Sequence, residues 1–567
     1  MELKHKMENK KPIIYQVFPR LFGNSNTTNI PNGSIEENGC GKLNDFDIRR
    51  LRRIKELGAT HIWYTGVIRH ATVTDYSQYG IPCQNPLVVK GKAGSPYAIT
   101  DYYDIDPDLS VDLEHRMDEF EALVERTHQV GMKVIIDFVP NHVARQYKSV
   151  CKPKGVKDLG EDDDTTKHFS TQNNFYYCWG QSLDLGDIKS INADEEESVS
   201  DYVESPAKAT GNDQFSNRPG RNDWYETVKL NYGIDYCDAS GRSEHFNPIP
   251  DTWRKMTDIL LFWAGKGVDG FRCDMAEMVP AAFWAWATEK VRLCFPGIVF
   301  IGEVYNPEEY RKYINSGFDY LYDKVGMYDC LRDVICGRRR AGDISYKWQE
   351  TDDIRDHMLY FLENHDEQRI ASDFFVGDAF KALPGLVVSV MLQSNPFMLY
   401  AGQEFGEKGM DQEGFSGKDG RTTIFDYWNV ASLYNGYFNR KQLTDEQRQL
   451  EGAYKFMLNL VNEEKALYAG EFFDLMYVNQ HFADKQYAFL RKTDKESMLI
   501  VVNFAGENAK CDVVVPQHAI DYLNIPEKKC QVVDLLNGEE LTTEVYGDQT
   551  FPVEVGPYSV RIFKMNL

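Results

Sequence analysis

Three carboxylates, each close behind a short apolar run, carry the chemistry this sequence suggests. They are Asp274 in Gly270-Phe271-Arg272-Cys273-Asp274, Glu303 in Ile301-Gly302-Glu303-Val304 and Asp366 in Glu363-Asn364-His365-Asp366. A fourth segment, Asp137-Phe138-Val139-Pro140-Asn141-His142, precedes them. If the runs are parallel strands of a barrel, their C-terminal ends converge on one mouth and collect groups that are distant in sequence. Carboxylates that share a cleft cannot share one pKa, because repulsion and unequal burial leave one protonated near neutrality and another ionised. Cleavage of a glycosidic bond with retention needs that inequality. It uses an ionised nucleophile and, about 5 Å away, a protonated carboxyl that donates to the leaving oxygen and later activates water. Arg272 stands two residues before Asp274 on the same strand face, where its guanidinium can hold the carboxylate ionised.

The strands that must position these groups read as β-branched or aromatic runs at Ile13–Phe18, His61–Val67, Lys133–Val139, Gly270–Asp274, Val299–Val304, Phe318–Tyr322, Met358–Glu363 and Pro396–Ala401. Amphipathic stretches separate them, and this alternation predicts an α/β fold, a (β/α)8 TIM barrel. Helices are expected over Asp45–Leu57, stopping at Gly58, and over Leu113–Val130, stopping at Gly131, where glycine suits a helix end. The alternation breaks after His142 and resumes near Thr252. So long an interval is poorly explained as a structureless loop, and it predicts a subdomain inserted after strand three, at the catalytic end. Its acidic runs, Glu161-Asp162-Asp163-Asp164 and Asp194-Glu195-Glu196-Glu197, read as solvated loop, with calcium ligation as the alternative. After Leu467, patterns such as Met498–Val502, Cys511–Val515 and Ser559–Phe563 alternate with period two, which predicts a C-terminal antiparallel β-sandwich. The expected division is barrel in residues 1–142 and 233–466, insert in 143–232 and terminal domain in 467–567.

Composition narrows the partners. The 567 residues carry a net charge of -24, which argues against nucleic acid and acidic membrane surfaces and for a neutral or cationic substrate. Aromatic residues are 13% of the chain, which gives many flat apolar faces suited to stacking, although most Phe and Tyr in any chain fill cores. The 11 cysteines are scattered without a C-x-x-C pair, a pattern of reduced thiols in a cytoplasm rather than of a disulfide framework or structural zinc. Met1–Lys11 is polar and Lys-rich without the apolar core of a signal peptide, and no run reaches membrane-spanning length.

Taken together and in order, the four segments resemble the signature regions of the α-amylase superfamily of retaining glycoside hydrolases and transglycosylases (glycoside hydrolase family 13). The insert and the terminal β-domain also lie where that family puts them. The resemblance implies Asp274 as nucleophile, Glu303 as general acid/base and Asp366 as the carboxylate that grips sugar hydroxyls. It implies Arg272, His142 and His365 as substrate-binding neighbours of the reacting sugar, and Tyr97 as the ring that stacks on it, although Ser95-Pro96 replaces the family's frequent His-Gly before this tyrosine. Asn141 matches a calcium ligand of many amylases and serves equally well as a turn amide, while Asp137 is expected to orient its neighbours. No cofactor is required for the chemistry itself.

Two segments depart from the family. The Lys-His pair that many α-amylases carry three and four positions after the nucleophile is Glu277-Met278 here, so recognition on the leaving-group side must differ. Gly420–Trp428 lacks the Arg-x-Pro-Met run of small-oligosaccharide exo-glucosidases. The insert brings Phe175, Tyr176, Tyr177, Trp179, Trp224 and Tyr225 beside Arg218, Arg221 and Asn222. These form either a sugar-binding face or a small local core. Leu230-Asn231-Tyr232 resembles the family's motif closing the insert, and Trp284 and Trp286 are expected in the core. The leading expectation is a retaining hydrolase of α-glucans or malto-oligosaccharides, and the alternative is an α-glucan transglycosylase with the same residues. A non-catalytic binding protein would have lost a carboxylate, and all three are present.

Overall fold

The structure, a computed structural model, describes residues 10–188, 201–413 and 417–566. The first nine residues and the run Asp194–Glu197 lie outside the described residues. Eight parallel strands, β1 (Ile13–Val17), β2 (His61–Tyr64), β3 (Lys133–Phe138), β4 (Gly270–Cys273), β5 (Val299–Gly302), β6 (Tyr320–Tyr322), β7 (Met358–Phe361) and β8 (Phe397–Tyr400), close into a barrel in which β8 pairs with β1. Each lies inside a run expected to form it.

Strand alternation sorts the side chains into two layers. Ile14, Trp63, Ile135, Ile301, Tyr322, Leu359, Phe361 and Met398 fill the interior as one cluster. Their neighbours Ile13, Ile62, Ile136, Phe271, Phe300 and Tyr360 belong to the layer that packs against the helices. Phe271 and Cys273 join that outer layer, so Arg272 and Asp274 face the barrel mouth, as the two-residue spacing requires.

The first expected helix runs Ile48–Glu56 rather than from Asp45, because the side chain of Asp47 accepts from the amide of Arg50 and caps it. The second is a 3-10 turn at Leu113–His115 leading into Arg116–Gln129. Gly58 and Gly131 follow with φ of 115° and 76°, conformations that favour glycine.

Between β3 and β4 the chain leaves the barrel through His142–Ala144, which pairs antiparallel with Thr227–Lys229 on the way back. Tyr232 donates to the carbonyl of Pro140 at 2.7 Å and Asn231 to that of Ser170 at 2.8 Å, so Leu230-Asn231-Tyr232 does fasten the insert. Phe175, Tyr176 and Tyr177 are buried and form local core, whereas Trp179 is 67% exposed. Asp163 accepts from the amides of Asn174 and Phe175 and from the Tyr177 hydroxyl, so that acidic run orders the insert's own backbone. Trp284 is buried on the helix Ala281–Cys294, and Trp286 packs beside Trp253.

The C-terminal region has an antiparallel sheet of six strands, Glu471–Asp474, Gln486–Lys492, Glu496–Asn503, Ser559–Asn566, Lys528–Asp534 and Glu540–Val545 in spatial order. The pair Ala509–Val515 and Gln549–Val555 faces it, and Leu499 and Val532 from one sheet line an apolar space with Val515 and Val553 from the other. Buried Arg491 fastens this region to the barrel by donating to the carbonyls of Leu392, Leu467 and Gly470. The eleven cysteines are all unpaired. Among the described residues no helix is long and apolar enough to cross a membrane.

Candidate active site

Barrel closure brings the expected residues to one mouth. Asp274, Glu303, Asp366, Tyr97, His142 and His365 line a single cleft of about 900 Å³, with Arg272 fully buried beneath it. One Arg272 nitrogen bonds Asp274 Oδ1 at 2.7 Å and the other stands 2.8 Å from Glu303 Oε2. The first nitrogen also lies 3.5 Å from Asp137 Oδ1, and Nε donates to the Tyr322 hydroxyl at 3.2 Å. The guanidinium is therefore shared, and it does not by itself separate nucleophile from acid, as the spacing alone had suggested.

The neighbours of Glu303 both donate to it and favour its ionised form, so they do not mark it as the acid either. The Tyr305 hydroxyl donates to Oε1 at 2.5 Å and the Met275 amide to Oε2 at 2.8 Å. Met275 reaches that position with φ of 43°, a left-handed conformation uncommon for a side chain of its size.

Enclosure raises every carboxyl of the group. Burial lifts Asp274 against the opposing pull of Arg272. It lifts Glu303 likewise, with Asp274 adding repulsion. Among the described residues Asp366 pairs with no guanidinium, and although its side chain is 35% exposed at the cleft, enclosure together with repulsion from Glu303, with which it competes for a proton, pushes it up to about 8. Burial pushes Asp137 up to about 7, and its Oδ2 accepts from the Trp63 indole at 3.0 Å and the Gly66 amide at 3.2 Å, which is an orienting position.

Both histidines are held neutral. Burial and Arg272 push His365 well below its ordinary value, and burial and Lys229 push His142 down to about 3. The Gln16 amide meets His365 Nδ1 at 2.8 Å, which leaves the Nε2 proton for Tyr97 Oη at 2.6 Å and Asp366 Oδ2 at 3.2 Å. The His142 ring packs against Trp224 at 5.2 Å.

Asn141 does not sit in a cage suited to calcium. Its amide nitrogen donates to the carbonyl of Gly211 at 2.7 Å, and its oxygen accepts from Lys229 Nζ at 2.7 Å. That ammonium is buried and pairs with Asp213 at 2.5 Å, so a covalently attached cation already fills the place beside the amide oxygen.

Glu277 is turned away from the cleft. Its carboxylate accepts from the amides of Tyr305 and Asn306, each at 3.1 Å, and so supports the loop that carries the Glu303 partner. Of the insert residues, Trp224, Tyr225, Arg221 and Asn222 line the cleft, while Arg218 pairs with Asp184 at the surface. Sequence reasoning missed Gln16, Met275, Tyr305 and Lys90. Tyr305 had a signal, since it follows Glu303 by two residues, whereas Gln16 and Lys90 stand in no motif.

A sequence model of the α-amylase catalytic domain matches residues 16–316, more than half of the chain. The chain belongs to the α-amylase family. Alpha-amylase 3 of Dictyoglomus thermophilum is 24% identical over 80% of the chain and 76% of that protein. Neopullulanase 2 of Thermoactinomyces vulgaris is 22% identical over 90% and 72%. A probable oligo-1,6-glucosidase 2 of Bacillus subtilis is 22% identical over 88% and 91%. The fold is that of a noncanonic maltogenic α-amylase from Thermotoga neapolitana, with a TM-score of 0.62 at 19% identity over 98% of this chain and 99% of that one. It is also that of an α-amylase from Geobacillus thermoleovorans, with a TM-score of 0.63 at 18% identity over 98% of each chain. This α-amylase-family protein is a glycoside hydrolase.

Proposed function

We propose that the enzyme cleaves α-glucosidic bonds of α-glucans or malto-oligosaccharides by double displacement, with retention at the anomeric carbon. The carrying observation is that one guanidinium binds both Asp274 and Glu303. Carboxyls gathered on one guanidinium suit the short separation of a retaining pair, roughly 5 Å, better than the wider one an inverting pair needs for its water. In the first step an Asp274 oxygen attacks the anomeric carbon as the bond to the leaving oxygen breaks, and that oxygen takes the proton of Glu303. In the second, Glu303 removes a proton from water, whose oxygen displaces Asp274. Asp366, protonated or ionised, bonds sugar hydroxyls beside the reacting carbon, and Tyr97, His142 and His365 complete that wall. The α configuration and the glucan substrate are supported by the relatives named above. The unpaired cysteines suit action in a reducing cytoplasm.

The test is hydrolysis of maltoheptaose followed by anomer-resolved proton NMR. Shorter products appearing first as the α-anomer are expected, and β-anomers would overturn the double displacement. Chains longer than the substrate at high concentration would instead favour transfer to a sugar acceptor.

A further inference from the structure

Resting on that α-glucan reading, we infer that the cleft is blind at its glycone end, so that the enzyme attacks chains from the non-reducing terminus, with Lys90 meeting the terminal sugar. The direction follows from the barrel. Glu303, which protonates the leaving group, follows β5, and β1 lies diametrically opposite in the closed ring. The leaving portion departs over β5, and the glycone points towards the loops that follow β8, β1 and β2.

Those three loops are fastened to one another. Arg20, just after β1 and 4% exposed, donates to the carbonyls of Ala93 at 2.9 Å and Gly94 at 3.4 Å in the loop after β2, and of Ile424 at 3.1 Å in the loop after β8. Asn32 makes a second staple, its amide donating to Asp426 Oδ1 at 2.8 Å and its side-chain oxygen accepting from the Lys92 amide at 3.0 Å. At Gly91, where φ is 70°, a Cβ would fall 2.4 Å from the carbonyl oxygen of Phe425. The loops touch main chain to main chain there, and no sugar passes between them.

Among the described residues Lys90 bridges the remaining side. Its ammonium lies 3.6 Å from Glu226 Oε1, on the insert, and 5.3 Å from the ring centroid of Phe425. One side chain thus joins the loop after β2, the loop after β8 and the insert. Lys90, Gly91, Glu226 and Phe425 line the same cleft as the three carboxylates. Glu226 is 4% exposed, and Lys90 is its one ion pair among the described residues. The separation exceeds a hydrogen bond, so the ammonium keeps its N–H donors for the hydroxyls of a terminal sugar.

The test compares maltoheptaose with maltoheptaose whose non-reducing 4- and 6-hydroxyls are capped as an ethylidene acetal, each followed by chromatography. The free chain is expected to be shortened and the capped chain to be cut about a hundredfold more slowly. Cleavage of the capped chain near the rate of the free one overturns the blind end while leaving the α-glucan reading in place. If neither chain is cut, that reading falls and this inference with it. Lys90→Met is expected to raise KM for maltoheptaose about tenfold, and by more than it lowers kcat. An unchanged KM removes Lys90 from the terminus.

Discussion

Arg272 contacts Asp274 and Glu303 at once, so with the roles proposed for them substitutions at the two carboxylates are expected to separate by leaving group rather than by overall damage. Asp274→Asn is expected to lower kcat by about 10⁴-fold on every substrate, with the circular dichroism spectrum of the parent. Glu303→Gln should spare a dinitrophenyl α-maltoside, whose leaving group needs no proton, and lose maltoheptaose. Equal loss on both would remove Glu303 from the acid role. Asp366 faces Glu303 without a guanidinium of its own, and the proton of this group leaves at a pKa pushed up to about 8. Asp366→Asn deletes one negative charge, which makes the remaining pair easier to ionise, so the alkaline limb of kcat/KM should move to lower pH. A limb that stays in place or moves up contradicts the assignment. Lys229 carries a similar argument about charge. Because its ammonium occupies the Asn141 oxygen, Lys229→Ala is expected to lower Tm, and a Tm unchanged by that substitution would show that the ammonium does not hold Asn141 in place.

Among the elements, β5 and its following turn place Glu303 most tightly. Gly302 is the last residue of the strand, and a Cβ there would lie 2.8 Å from Leu321 Cδ2 and 2.9 Å from Phe318 Cδ1, both buried apolar atoms. Gly302→Ala is therefore expected to destabilise by about 1–3 kcal/mol, measured by denaturant unfolding, and to lower kcat because the displaced strand end carries Glu303, the proposed acid. A neutral outcome would mean that β5 and β6 have slack the structure does not show. The same reasoning explains why Glu277 left the cleft. The loop after β5 presents the amides of Tyr305 and Asn306 without helical partners, and a carboxylate within reach satisfies both.

Over the whole molecule, buried ionisable groups set a pH dependence of stability. Burial pushes Asp137 and Glu404 up to about 7 and Asp108 and Asp323 up to about 6. A carboxyl raised in this way contributes stability that is complete below its unfolded pKa and is lost as pH rises through the folded value. His61 and His142 are pushed down to about 4 and about 3 by burial. Their contribution is complete above the ordinary histidine value and is lost as pH falls. Between about pH 6.5 and pH 8 the loss from the carboxyls outweighs the last of the gain from the histidines, so Tm measured by scanning calorimetry should fall across that window. A rise would contradict the burial of these groups.

The sequence by itself determined the barrel, the break after its third strand, the terminal sheet and the four segments at the strand ends, because strand periodicity and the residue order at strand ends are local properties of the chain. Alternation alone put Arg272 and Asp274 on one face. Only the tertiary structure decided the partners. Gln16 meets His365 across 349 residues, Lys229 meets Asn141 across 88, and Arg20 meets Ile424 across 404. Those pairings depend on which loops the closed ring sets side by side, and the shape of the cleft depends on the same closure, which no spacing within a single segment encodes.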